Sequence, residues 1–311
     1  MTSLDDYEIK RTTWESRIPV EFILEESNAL MLRKRDHSSF VMLPRISYFS
    51  LHLTKVLSRI LSSAHANIDD IGGEGNMFED VWLQSSGEAL KWHYPIGVLY
   101  DTFANLSDHT SLPWQVTIRL KNFPNELIRC RSREIMRNCF MQSVKEADQL
   151  KHKGNIIQSM TAEEHLTLFD AVANERFDDF WAVNKKLMGN GQQNLLHIPI
   201  RFYESPFPFR QALVTPRKRK LQSDSAPSEP STEQKTEGST PQVEEEEDTL
   251  LKDALIKALC TTTDDSAEHL CNEYTAISHG IVLPLDTPVL WMAKNLAYPD
   301  NFVHVVLKRR K

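Results

Sequence analysis

Cysteine is sparse in this chain: four residues in 311, Cys130, Cys139, Cys260 and Cys271, with no CxxC pair. That density excludes a disulfide framework and points to free thiols in a reducing compartment. Long apolar runs are also missing. No stretch approaches the roughly 18 consecutive apolar residues of a membrane-spanning helix, and the start, MTSLDDYEIKRTTWES, has no apolar segment of signal-peptide type. The expectation is a chain neither secreted by the usual route nor spanning a bilayer, so that any membrane role is peripheral. Positive charge is in deficit, with a net charge of −7. General nucleic-acid binding needs a basic face and is not expected. Catalytic signatures are lacking as well: there is no GxSxG, GxxxxGK[ST], HExxH or GxGxxG. The 11 histidines are scattered without ligand spacing, so neither a metal nor a cofactor is expected. Gly72–Gly75 lacks the strand-to-helix setting of a phosphate cradle and reads as a flexible turn.

What is present is duplication. Ile18-Pro19-Val20-Glu21-Phe22 is echoed by Ile198-Pro199-Ile200-Arg201-Phe202. Ala89-Leu90-Lys91-Trp92 is echoed by Pro288-Val289-Leu290-Trp291, and the strand after Pro113 by the strand after Pro299. Three landmarks in the same order imply two modules of one fold. Pairing Trp92 with Trp291 makes both tryptophans core anchors.

In the first module, Ile18–Leu24 and SFVMLPRI (39–46) read as strands, and Ser47 as a helix cap. Phe49, Leu53, Val56, Leu57, Ile60 and Leu61 recur at helical spacing, predicting a helix over 48–62. A strand near Phe78–Leu83, a Ser85-Ser86-Gly87 turn, a short strand carrying Leu90 and Trp92, a helix opened by Pro95 and a strand over 114–120 complete it. Two strands, a long helix and further strands are the order of a ubiquitin-like β-grasp. The second module repeats it with strands at 198–203 and 207–214, a helix over 250–260 and a strand over 301–307.

Between the second hairpin and its helix lies 217–248: Arg217-Lys218-Arg219-Lys220, a run rich in Ser, Pro, Thr, Glu and Gln, then EEEED. Such a composition cannot bury enough apolar surface to offset its ordering entropy, so disorder is expected. The basic cluster reads as a solvated run, with a nuclear import signal or an anionic-lipid patch as the functional alternatives. The middle of the chain is helical. Ser132 precedes one helix, whose Met136, Phe140, Val144, Ala147 and Leu150 share a face. Thr161-Ala162-Glu163-Glu164 is a capping box opening a second, with Leu166, Phe169, Phe177, Phe180, Trp181, Leu187 and Met188. At about 100° per residue, Lys145 falls about 160° from the centre of the first stripe, on the solvent side. The expected class is α+β: a helix over 1–16, ubiquitin-like modules over 17–124 and 196–308, and a helix-rich domain over 125–195 between them. The chain ends Leu307-Lys308-Arg309-Arg310-Lys311, without the Gly-Gly tail of a transferable modifier, so it is not expected to be such a modifier, though it could accept one.

Several blocks carry a resemblance: LPRISY (43–48), LKWHYPIG (90–97), SLPWQVTIRLKNFP (111–124), KEADQLKHK (145–153), ERFDDFWAVNKKLM (175–188) and YPDNFVHV (298–305). In these the chain resembles the autophagy protein 5 family over about 11–215 and 249–308. The 217–248 insert and the basic Lys308–Lys311 depart from the family pattern. The resemblance implies two ubiquitin-like domains around a helix-rich one, and a non-catalytic cytoplasmic subunit peripheral on the preautophagosomal membrane. It implies an isopeptide bond to the ubiquitin-like autophagy protein 12 at the lysine opening the KEAD block, which is Lys145. A groove would receive the N-terminal helix of the coiled-coil autophagy protein 16. The assembly, with transient conjugating enzymes, would promote attachment of a second ubiquitin-like protein to phosphatidylethanolamine. Lysine amines are almost all protonated at neutral pH, so attack on a thioester requires a base or desolvation from the conjugating enzyme. The alternative reading is a non-conjugated ubiquitin-like adaptor, sent to the nucleus by its basic cluster. An enzyme ranks third.

Overall fold

The computed structural model describes residues 6–25, 38–63, 80–103, 112–129, 132–189, 195–219, 246–259, 271 and 273–310. Gly72–Gly75, Cys130, Cys260 and the middle of the insert, 220–245, lie outside them.

Asp6 caps the first helix, α1 (Tyr7–Glu15), its Oδ1 accepting from the amides of Glu8 (2.9 Å) and Ile9 (3.2 Å). The chain then enters β1 (Arg17–Leu24), where Ile18, Val20, Phe22 and Leu24 alternate inward. β1 lies antiparallel to β2 (Ser38–Pro44) and parallel to β5 (Trp114–Arg119), and β3 (Trp82–Ser85) joins β5 and the two-residue β4 (Glu88–Ala89). The sheet order is β2-β1-β5-β3-β4. One turn of 3-10 helix (Phe49–Leu51) and α2 (Leu53–Ser63) follow β2, with Val56 and Ile60 buried, and α3 (Ile96–Phe103) precedes β5. Ser47 caps neither; its hydroxyl meets His52 Nε2 at 2.8 Å.

Four helices form the middle: α4 (Arg133–His152), α5 (Asn155–Ser159), α6 (Ala162–Ala173) and α7 (Phe177–Asn184). The expected second helix is thus interrupted. Glu175 takes φ 59° between α6 and α7, which turns the chain and lets Phe177 and Phe180 pack under Trp14 of α1. The capping box is present in both directions, Glu164 N to Thr161 Oγ1 and Thr161 N to Glu164 Oε2. Leu166, expected in the core, is exposed, and Leu150 only half-buried.

The second sheet runs β7-β6-β12-β10-β11, with β6 Ile198–Tyr203, β7 Arg210–Val214, β10 Tyr274–Ser278, β11 Ile281–Leu283 and β12 Val303–Arg309. Its order repeats the first strand for strand. β5 pairs with β1 through Val20↔Trp114, and β12 with β6 through Ile200↔Val303. β6 is buried on both faces because α8 (Leu251–Leu259) covers one side and α4 the other.

Two further expectations need correction. Trp92 and Trp291 are not equivalent. Trp92 lies in a turn beyond β4, fully buried, its indole donating to Ile128 O at 2.7 Å. Trp291 sits on α9 (Val289–Asn295), half-buried, at the place α3 fills in the first module. The structural match instead aligns Gly87 with Gly280, Leu90 with Leu283 and Pro95 with Pro288. Second, the insert is ordered at both ends: β8 (Arg217–Arg219) pairs with β9 (Glu246–Asp248), so the expected disorder over 217–248 does not hold for its ends.

Candidate functional site

α4 is capped at both ends. Ser132 Oγ accepts from Ile135 N at 3.1 Å to start it. At its end Lys153 and Gly154 take positive φ, 58° and 78°, and turn their amides back to Gln149 O and Asp148 O. Met136, Phe140, Val144 and Ala147 are buried as the helical phase predicts, Phe140 meeting Tyr48 of the first module and Phe169 of α6. Lys145 stands exposed on the opposite side.

The far end of α4 is held by the second module. Glu146, next to Lys145, binds Arg201 of β6 at 2.9 Å, and that guanidinium lies 3.5 Å from the Phe302 ring centroid. Lys151 is the helix's other notable lysine, and it is fully buried. Its Nζ donates to Asn301 Oδ1 (3.2 Å), and Asn301 Nδ2 donates in turn to Asn184 Oδ1 (2.8 Å). Burial lowers its pKa to about 8, against the opposing pull of Asp300 and Asp148. Sequence reasoning missed this residue, although a signal existed: Lys151 falls only about 40° from the centre of the stripe. Asp300 accepts from His304 at 2.9 Å, and His304 Nδ1 meets the Tyr203 hydroxyl at 2.7 Å. His304 and Arg201 hold Asp300 below the usual carboxylate range despite its burial.

A second polar node joins the two sheets. Arg45 Nη1 forks onto both oxygens of Asp101 at 3.0 Å, and Asp101 Oδ2 also accepts from Gly280 N at 2.8 Å. Gly280 has φ +78°, and a Cβ there would stand 2.5 Å from Arg45 Nη2. Beside it His279 stacks on Tyr298, with ring centroids 4.0 Å apart. These nodes hold the parts together.

A cleft of about 640 Å³ opens between α1, the start of β1 and α7, lined by Arg11, Trp14, Arg17, Glu175, Phe177 and Asp178. Its charges are largely paired across it, Arg17 with Glu175 and Arg11 with Asp178. Among the described residues no three His, Cys, Asp or Glu converge as a metal site, and no helix is long and apolar enough to cross a membrane. Cys139 is half-buried and Cys271 buried, and neither is in a disulfide.

The fold is that of two ubiquitin-like modules around a helical bundle, with Lys145 exposed on α4. Family models match in three consecutive blocks: "Autophagy protein ATG5, UblA domain" over 13–120, its alpha-helical bundle region over 133–190, and its UblB domain over 197–307. The chain is 36% identical over 305 residues to autophagy-related protein 5 of Caenorhabditis elegans, covering 97% of this chain and 98% of that one. It is 31% identical over 307 residues to autophagy protein 5 of Drosophila melanogaster, at 96% coverage of each. The crystal structure of Kluyveromyces marxianus Atg5 superposes with a TM-score of 0.72 over 97% of this chain and 100% of that one, at 17% identity, a likeness of fold. The chain belongs to the autophagy protein 5 family.

Proposed function

We propose that this chain is the acceptor and scaffold subunit of the autophagy ubiquitin-like conjugation system. In this reading Lys145 Nζ attacks the thioester that joins the C-terminus of autophagy protein 12 to its conjugating enzyme. An amide bond forms, the enzyme thiolate leaves, and the lysine proton passes to a base supplied by that enzyme. The conjugate binds the N-terminal helix of autophagy protein 16. It works in the cytoplasm and peripherally at the preautophagosomal membrane, promoting transfer of a second ubiquitin-like protein to phosphatidylethanolamine. This chain itself catalyses no bond change.

What supports the reading is family membership along nearly the whole chain, together with the contrast between exposed Lys145 and buried Lys151 on one helix. An acceptor amine must reach a separate enzyme's active site, and only the first has that freedom. Arg is as long and as helix-favouring as Lys, so Lys145→Arg should change stability by less than about 0.5 kcal/mol, while its guanidinium cannot serve as the nucleophile. On a denaturing gel from cells, the heavier covalent species should vanish in Lys145→Arg, and the lipid-attached modifier downstream with it. Persistence of the heavy band would sink the assignment.

A further inference from the structure

The basic run at Arg217 takes no part in the reading above, and its surroundings are more ordered than its composition suggests. β8 and β9 pair antiparallel in a register that sets a base against an acid at every position: Arg217↔Asp248, Lys218↔Glu247 and Arg219↔Glu246. Arg217 Nε lies 3.8 Å from Asp248 Oδ1, and Lys218 Nζ lies 3.4 Å from Glu247 Oε1 and 3.0 Å from Asp253 Oδ1. Asp253 belongs to the first turn of α8 and accepts from Leu250 N at 2.8 Å, so Lys218 is tied to a helix end. The root of the ribbon is closed by Thr249 N to Pro216 O (3.1 Å), and Val289 N to Thr249 O (2.9 Å) joins that root to α9. The register is therefore set by the folded module.

We propose that β9 is an intramolecular mask, and that the basic strand it neutralises is a latent docking surface for an anionic lipid bilayer. Asp248 and Glu247 face Arg217 and Lys218 directly and compete with any external anion for them. The pairs are also about half exposed, with side-chain exposures of 60% for Arg217, 52% for Asp248 and 50% for Glu247. Exposed pairs are individually weak and screened by salt, so the mask is reversible. The occupant follows from charge distribution. A nucleic-acid duplex needs a broad basic face, and a chain of net charge −7 does not offer one. A short cationic strand suits a bilayer of anionic headgroups, which attracts basic residues one by one within a Debye length. The proposal is independent of Lys145 and holds or fails separately from it.

The test is co-sedimentation of the full chain with phosphatidylcholine vesicles containing about one third phosphatidylserine, at low salt. Glu246→Gln/Glu247→Gln/Asp248→Asn should bind at least about tenfold more tightly than the unaltered chain. Adding Arg217→Gln/Lys218→Gln/Arg219→Gln to that variant should abolish the gain. Neutralising three exposed acids elsewhere, Glu126→Gln/Glu134→Gln/Asp286→Asn, makes the same change in net charge and should leave binding as it was. Native near-ultraviolet circular dichroism confirms that each variant is folded. The mask is overturned if the gain is absent, if the distant neutralisation reproduces it, or if it survives loss of the basic strand. A gain on duplex DNA without one on vesicles overturns the lipid assignment.

Discussion

At the turn between β3 and β4, Ser86 and Gly87 take φ of 51° and 87° in open solvent. At the turn between β10 and β11, His279 and Gly280 take 51° and 78°, the same conformation, but His279 is buried and Gly280 meets Arg45 and Asp101 of the first module. The backbone repeats while the surroundings do not. In the first module the turn closes a hairpin and nothing more. In the second it donates Gly280 N to Asp101 and stacks His279 on Tyr298, so the hairpin has become part of the joint between modules. The two sheets differ in the same sense: β1 alternates buried and half-buried residues, whereas β6 is buried throughout. The first module and the helical bundle share one hydrophobic core, and the second module, with a core of its own, meets them through this joint.

The sharpest way to test that comparison is through the two tryptophans. Trp92 is fully buried with its indole hydrogen-bonded, so Trp92→Ala should cost about 3–5 kcal/mol, enough to unfold a marginal domain. Trp291 is half-buried on α9, and its replacement by Ala should cost only about 1–2 kcal/mol. Equal losses in denaturant titrations would restore the equivalence that the structure denies.

Next comes the hairpin pair. Gly280→Ala places a Cβ on the Arg45 guanidinium at a positive φ and disturbs a buried ion pair. An expected loss of about 2–4 kcal/mol combines the backbone strain with part of that pair's value. Gly87 has a similar φ but open space around it, so Gly87→Ala should cost about 1 kcal/mol. Chemical denaturation of both variants decides whether the second turn is a joint or only a turn.

How far the sequence alone carried can be read from the same places. Helical phase placed Lys145 outward and Val144 inward correctly, because α4 is long and one of its faces is apolar over most of its length. Ile18 and Ile198 were rightly paired, since a parallel central strand leaves the same apolar run in both modules. Trp291 was misplaced because a short apolar run beside Pro288 has no period that separates strand from helix. The better signal was the turn: Gly87 and Gly280 precede Pro95 and Pro288 at equal spacing. The joints at Arg45–Asp101 and Lys151–Asn301 were not legible, because contacts between residues so distant in the chain leave no local pattern. The charge-matched ladder of β8 and β9 was hidden for a related reason. Composition describes a segment's average, and its two ends pair only once the fold brings Pro216 and Thr249 together.

The joint also has a pH signature. Lys151 titrates near 8 in the folded chain and near its ordinary 10.5 when unfolded. Between those values the unfolded state binds the extra proton, so stability should rise with pH across that window and fall back as pH drops toward 8. The full swing is at most about 3 kcal/mol. Lys151→Met should flatten this rise in guanidinium titrations run from pH 7.5 to 10, with Lys145→Arg as the exposed counterpart that keeps it. A slope unchanged in Lys151→Met would mean that the buried amine is not its source.

The smallest effect belongs to the insert, the largest length difference between the modules at equivalent places. In the first module β2 leads to α2 within a few residues; in the second, β7 reaches α8 only through β8, residues 220–245 and β9. Replacing 220–245 with a short Gly/Ser linker keeps the paired strands and makes the second module more like the first. The removed residues are mostly Ser, Pro, Thr, Glu and Gln, a composition with little apolar surface to give to a core. Each halving of loop length recovers about 0.6 kcal/mol of closure entropy, so two halvings should stabilise the chain by about 1 kcal/mol. The midpoint of thermal unfolding should therefore rise by a few degrees at most. Insoluble protein, or a midpoint that falls sharply, would mean that the insert packs on the second module and that the modules differ in their cores as well as in their loops.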